Sequence, residues 1–114
     1  MEKPSDIFFR VMEAAQERGI GQCTGNACRD STGSSAANFN DAKSVCVMGL
    51  MGWGRAYDIL SSQEEKTVEG ALPIDLVHLN DLHGWSFPDF YEYLKDKEEE
   101  EEAPKPVEKP VTQV

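Results

Sequence analysis

Five residues carry side chains that bind metals or act as nucleophiles, namely three cysteines and two histidines. Cys23, Cys28, Cys46 and His78, with His83 as a second imidazole, would supply the thiolate and nitrogen ligands of a zinc site. Four residues separate Cys23 from Cys28, so the spacing differs from a Cys-x-x-Cys knuckle. A cysteine enzyme is the related alternative, with Cys46 as a nucleophile near a helix N-terminus. The apolar neighbours of Cys46 favour a structural role.

A short polar segment beside a tryptophan is the second candidate site. Asn80, Asp81 and His83 lie within four residues and would form a small ligand-binding cluster. Trp85 would anchor a protein partner. The same residues also suit structural roles, since Asn80 or Asp81 can end a helix and Gly84 can adopt a positive φ. Trp85 precedes a capping serine, which is the position of a hydrophobic staple. The pattern favours these structural roles over binding.

Apolar spacing predicts a mostly α-helical fold of about four helices. Ser5 is the expected N-cap of the first helix, and Asn40 or Asp41 of the second. The second helix is the expected centre of the core, and its glycines require close contact with another backbone or a kink. A capping box at Ser86 starts the last helix. The predicted helices cover residues 6–18, 42–60, 72–79 and 87–97.

Two polar stretches between the helices are not expected to be helical. Residues 20–40 are rich in Gly, Ser, Thr and Asn, and the turn at 30–33 predicts a small hairpin. Residues 61–70 are predicted to form a loop. Residues 1–97 are expected to form one globular domain. The acidic run at 98–102 and the proline-rich segment after it predict a disordered tail over 98–114.

Charge and hydropathy exclude several classes of function. The 114 residues include 21 acidic and 11 basic side chains, for a net charge of −10. This balance disfavours binding to nucleic acid, which needs clustered Lys and Arg, and to anionic membranes. The longest apolar run, residues 45–53, is too short to span a bilayer. Residues 1–6 do not resemble a secretory signal, so a cytoplasmic protein is expected. No cofactor is expected.

Several short motifs follow one another in a recognisable order. They are Arg18-Gly19-Ile20, the turn at 30–33, Cys46-Val47-Met48-Gly49-Leu50, and Leu79-Asn80-Asp81 followed by Gly84. Over residues 6–95 this order resembles a family of small uncharacterised proteins from bacteriophages and bacteria. Ile20 and Leu79 stand where that family usually has tryptophan. The resemblance implies a phage-encoded protein and no particular chemistry.

These observations favour a small acidic accessory protein without enzymatic activity, which binds a protein partner. The net negative charge favours a basic partner. The binding residues would be Trp85, Asn80, Asp81 and His83. The alternative is a zinc module or a cysteine enzyme that uses the cysteine and histidine set.

Overall fold

A computed structural model of the protein describes residues 2–25 and 28–102. This part of the chain is mostly helical and carries a small three-stranded sheet, in agreement with the predicted fold class. None of its helices is long and apolar enough to cross a membrane. In chain order the elements are α1 (Pro4–Glu17), β1 (Gly21–Gln22), β2 (Cys28–Arg29), a 3₁₀ turn (Phe39–Asp41), β3 (Ser44–Val45), α2 (Val47–Ala56), α3 (Ser62–Ala71), α4 (Leu76–Asp81) and α5 (Phe87–Glu102).

Helix α1 packs its apolar face against α2, α3 and α5. The buried side chains recur at helical spacing, as predicted, and are Ile7, Phe8, Val11 and Ala15. Burial of a large apolar side chain stabilises a fold by about 1.5–3 kcal/mol. The helix ends before Gly19, which has φ +73° as expected for this position. The predicted start was wrong, because the helix begins at Pro4 and Ser5 lies inside its first turn.

The sheet has β3 at its centre, parallel to β1 and antiparallel to β2. The predicted hairpin is present beside it, since Arg29 and Ser35 form an antiparallel bridge across the turn that starts at Asp30. The Gly33 N–H closes this turn by donating to the Asp30 carbonyl at 3.0 Å. The pairing of both outer strands with β3 was not predicted.

Helix α2 is the buried central helix, but it starts later than predicted and ends at Ala56 instead of residue 60. Ser44 and Val45 form β3, so the helix begins at Val47 and Cys46 is its N-cap, instead of Asn40 or Asp41. Gly52 and Gly54 of α2 lie in close contacts, but these contacts are with side chains instead of the expected second backbone. A Cβ on Gly54 would lie 2.6 Å from Val11 Cγ2.

The predicted loop at 61–70 is wrong, because this segment forms α3. Ser61 and Glu64 form a capping box at its start, and only Val68 is buried within it. The Glu64 carboxylate also accepts a bond from Arg10 of α1 at 2.7 Å. The hydrogen bond from the Ser61 backbone N–H and that from Arg10 lower the pKa of Glu64. The bond from Arg10 joins α3 to α1.

The last two helices differ from prediction at three of their ends. Helix α4 begins at Leu76 instead of residue 72, after a turn around Pro73, and ends at Asp81 instead of residue 79. Helix α5 begins after Ser86, as predicted, and the Ser86 N–H donates to Asp89 at 2.8 Å. It continues to Glu102 instead of ending near residue 97, so residues 98–102 are helical. The rest of the predicted tail, residues 103–114, lies outside the described residues.

Candidate functional site

The surface around α4 exposes three large apolar side chains. Ile74, just before the helix, is fully exposed, while Val77 is 50% and Leu82 is 73% exposed. Leu76 and Asn80 face the interior. Val77 lies on α4, while Ile74 precedes the helix and Leu82 directly follows it, and we call these three exposed residues the α4 surface. Single exposed apolar residues are common on protein surfaces, but several large ones within one short segment are typical of an interaction site.

The chain around the α4 surface carries acidic residues without basic ones. Between Lys66 and Lys95 there is no Lys or Arg, whereas five residues are Asp or Glu. Asp75 is exposed beside Ile74, and Asp81 is partly exposed next to Leu82. His78 and His83 are exposed in the same segment. The segment therefore combines apolar contact area with negative charge.

A groove continues from Ile74 towards α5. It has a volume of about 590 Å³, and Leu72, Ile74 and Tyr93 contribute to its walls. Lys97 and Glu98 of α5 also line the groove. The groove and the α4 surface share Ile74, so a bound helix could contact both.

Asn80 positions α4 on the rest of the fold. Its Oδ1 accepts hydrogen bonds from Gln22 Nε2 at 2.8 Å and from the Val47 N–H at 3.1 Å. Its Nδ2 donates to the Cys23 carbonyl at 3.0 Å and to Asp81 Oδ1 at 2.7 Å. An amide side chain offers two donors and two acceptor sites, so all four are used. Asn80 is also buried, so it supports the α4 surface rather than offering its amide to a ligand.

Trp85 forms the expected hydrophobic staple. It stands immediately before the N-cap Ser86, and its ring lies 5.1 Å from that of Phe90 in the first turns of α5. Its backbone carbonyl accepts from Gln22 Nε2 at 2.7 Å. Gly84 has φ +70°, as its turn role requires. Trp85 is half-buried, so part of its side chain remains accessible.

The three cysteines lie around β3, but the histidines do not join them. Cys28 is opposite Val45, and Cys46 directly follows Val45 in the chain. Cys23 is buried, which raises the pKa of its thiol. His78 is exposed on α4. In residues 2–25 and 28–102, no group of three or more His, Cys, Asp and Glu side chains is placed to hold a metal ion. The zinc alternative therefore receives no support from the geometry.

Comparison with family models, curated proteins and solved structures found no match to this chain. The resemblance to phage and bacterial proteins thus stays a prediction, as does the binding role of Asp81, His83 and Trp85.

The exposure of Ile74, Val77 and Leu82 was not predicted from the sequence, which placed Ile74 and Val77 in a short helix without assigning them a face. The absence of Lys and Arg between residues 66 and 95 is the sequence signal that could have marked this surface.

Proposed function

We propose that this protein is a non-enzymatic interaction module that binds a basic, amphipathic helical segment of a protein partner through the α4 surface. The observation that carries the proposal is the exposure of Ile74, Val77 and Leu82 in a segment that lacks Lys and Arg. The proposal includes a phage-encoded accessory protein in the cytoplasm, in line with the sequence resemblance.

The chemistry of the surface defines the partner. Apolar side chains on one face of the partner helix would cover Ile74, Val77 and Leu82, and each fully buried side chain contributes about 1.5–3 kcal/mol before the costs of association. Lys and Arg on the flanks would lie near Asp75 and Asp81. These charge pairs are solvent-exposed, so they would mainly speed association and select a basic partner over an acidic one.

The proposal is tested with two synthetic helical peptides. Both carry the same stripe of Leu residues, and their polar positions hold Lys in one peptide and Glu in the other. We expect fluorescence anisotropy to show binding of the Lys peptide only. Leu82→Ser should weaken this binding about tenfold, which corresponds to about 1.4 kcal/mol. Leu82 is largely exposed, so this substitution should leave folding intact.

The matched control is Phe9→Ser on α1. Phe9 is 39% exposed and its ring lies 5.3 Å from that of Tyr91, so circular dichroism first verifies that the variant is folded. This variant should bind the Lys peptide like the unmodified protein. Equal binding of the two peptides, or equal weakening by Phe9→Ser and Leu82→Ser, would contradict the proposal.

A further inference from the structure

The hydrogen bonds between β1 and β3 place two cysteines side by side. In this parallel ladder Gly21 is paired with Ser44, and the Gly21 N–H donates to the Lys43 carbonyl at 2.9 Å. The Cys23 N–H donates in the same way to the Val45 carbonyl at 3.0 Å. A parallel ladder repeats this pattern along the strands. Cys23 is therefore the neighbour of Cys46.

The spacing of paired strands is compatible with a disulfide between Cys23 and Cys46. Neighbouring strands lie about 4.8 Å apart, and paired residues direct their side chains to the same face. Disulfides join Cα atoms about 4.4–6.8 Å apart. Cys28 is the partner of Val45, and successive residues of β3 face opposite sides. Cys28 is therefore on the other face of the sheet from Cys23 and Cys46.

The two thiols differ in access. Cys46 is partly exposed at the start of α2, where its Sγ accepts a hydrogen bond from the Gly49 N–H at 3.3 Å. Cys23 is only 8% exposed, and burial raises the pKa of its thiol. An oxidant in solution would thus react with Cys46 first. The buried Cys23 would react afterwards, with the oxidised Cys46.

We infer that Cys23 and Cys46 form a dithiol site that small disulfides, such as glutathione disulfide, oxidise. The Cys46 thiolate attacks one sulfur of glutathione disulfide, so that a mixed disulfide forms and one glutathione thiolate leaves. Cys23 then attacks Cys46 Sγ, which forms the Cys23–Cys46 disulfide and releases the second glutathione. The protein loses two electrons and two protons, and glutathione disulfide becomes two glutathione thiols.

The dithiol site is next to Asn80, the residue that positions α4. The Cys23 carbonyl and the N–H of Val47, the residue after Cys46, both bond to the side chain of Asn80. A disulfide between Cys23 and Cys46 would therefore constrain the two backbone groups that bond to Asn80. This dithiol site stands independently of the proposed partner.

The test treats the native, full-length protein with glutathione disulfide and follows it by intact mass spectrometry and peptide mapping. We expect the unmodified protein to lose the mass of two hydrogens and to yield a cross-link between the peptides of Cys23 and Cys46. Cys28→Ser should form the same cross-link. Cys23→Ser should stop at one glutathione bound to Cys46, and Cys46→Ser should form no cross-link.

Three results would overturn the inference. They are the absence of a cross-link in the folded unmodified protein, a cross-link that involves Cys28, and loss of the cross-link in Cys28→Ser. Serine is a good N-cap, so Cys46→Ser keeps the start of α2. Cys23→Ala serves as the second variant at the buried position if circular dichroism shows that Cys23→Ser is unfolded.

Discussion

Asn80 is the single residue on which the position of α4 depends most. Its substitution by Ala would leave the Val47 N–H and the Cys23 carbonyl without this partner in the interior. Each buried polar group that loses its partner costs about 1–3 kcal/mol. We therefore expect Asn80→Ala to lower the free energy of unfolding by about 3 kcal/mol, measured by urea denaturation.

Asn40→Ala is the matched control for this prediction. Asn40 is exposed, and its Oδ1 accepts a hydrogen bond from the Tyr57 hydroxyl at 2.7 Å. Water can replace this bond, so the change in unfolding free energy should stay within about 0.5 kcal/mol. Similar losses in the two variants would show that Asn80 is not a special support of the fold.

At the scale of elements, α2 is held close to its neighbours by a glycine. A Cβ on Gly54 would lie 2.6 Å from Val11 Cγ2 and 3.0 Å from Leu60 Cδ1, so both side chains would have to shift. Overpacking of a core costs about 1–3 kcal/mol, whereas Ala gains at most about 1 kcal/mol over Gly in helix propensity. We expect Gly54→Ala to lower the Tm by several degrees, about what a net loss of 1 kcal/mol produces.

Gly70→Ala provides the opposite case within α3. A Cβ at Gly70 would meet no atom within 4 Å, so only the gain in helix propensity remains. This variant should raise the Tm slightly, by less than about 1 kcal/mol in stability. A decrease for both glycine variants would mean that steric contact is not what distinguishes the two positions.

The elements also show why some of the fold could be predicted and some could not. Helices α1 and α5 were predictable because each combines an apolar stripe with a clear end signal, such as Gly19 or the Ser86 capping box. Helix α3 buries only Val68, so it lacks such a stripe, and its one signal was the Ser61–Glu64 pair. The two-residue strand β3 depends on partners 15 to 23 positions away in the sequence.

Only the polar residues of the candidate site could be recognised in the sequence. The polar residues Asp81 and His83 stand out by type, and their segment is correctly placed at the end of a helix. The apolar residues Ile74 and Val77 look the same whether they face the core or water. A six-residue helix is too short for its pattern to choose a face, so the Asn80 contacts decide which side is buried.

At the scale of the whole molecule, the two ends of the described chain are tied together. Lys3 provides no side-chain cap for α1, and Pro4 has no N–H to satisfy. Glu98, near the end of α5, takes the capping role instead. Its carboxylate accepts the Ser5 N–H at 2.8 Å and the Ser5 hydroxyl at 2.6 Å. A negative charge at this position also favours the positive end of the α1 dipole.

This contact predicts that the first Glu of the acidic run differs from its neighbours. Glu98→Ala would leave two polar groups of the fully buried Ser5 without a partner, so we expect a loss of about 2 kcal/mol in unfolding free energy. Glu99 is exposed, and Glu99→Ala removes the same charge with the same gain in helix propensity. Urea denaturation of both variants separates the loss of the Ser5 contact from the loss of one negative charge in the run. If Glu99→Ala destabilised as much as Glu98→Ala, the helix ends would not be joined through Ser5, and the acidic run would act only through its total charge.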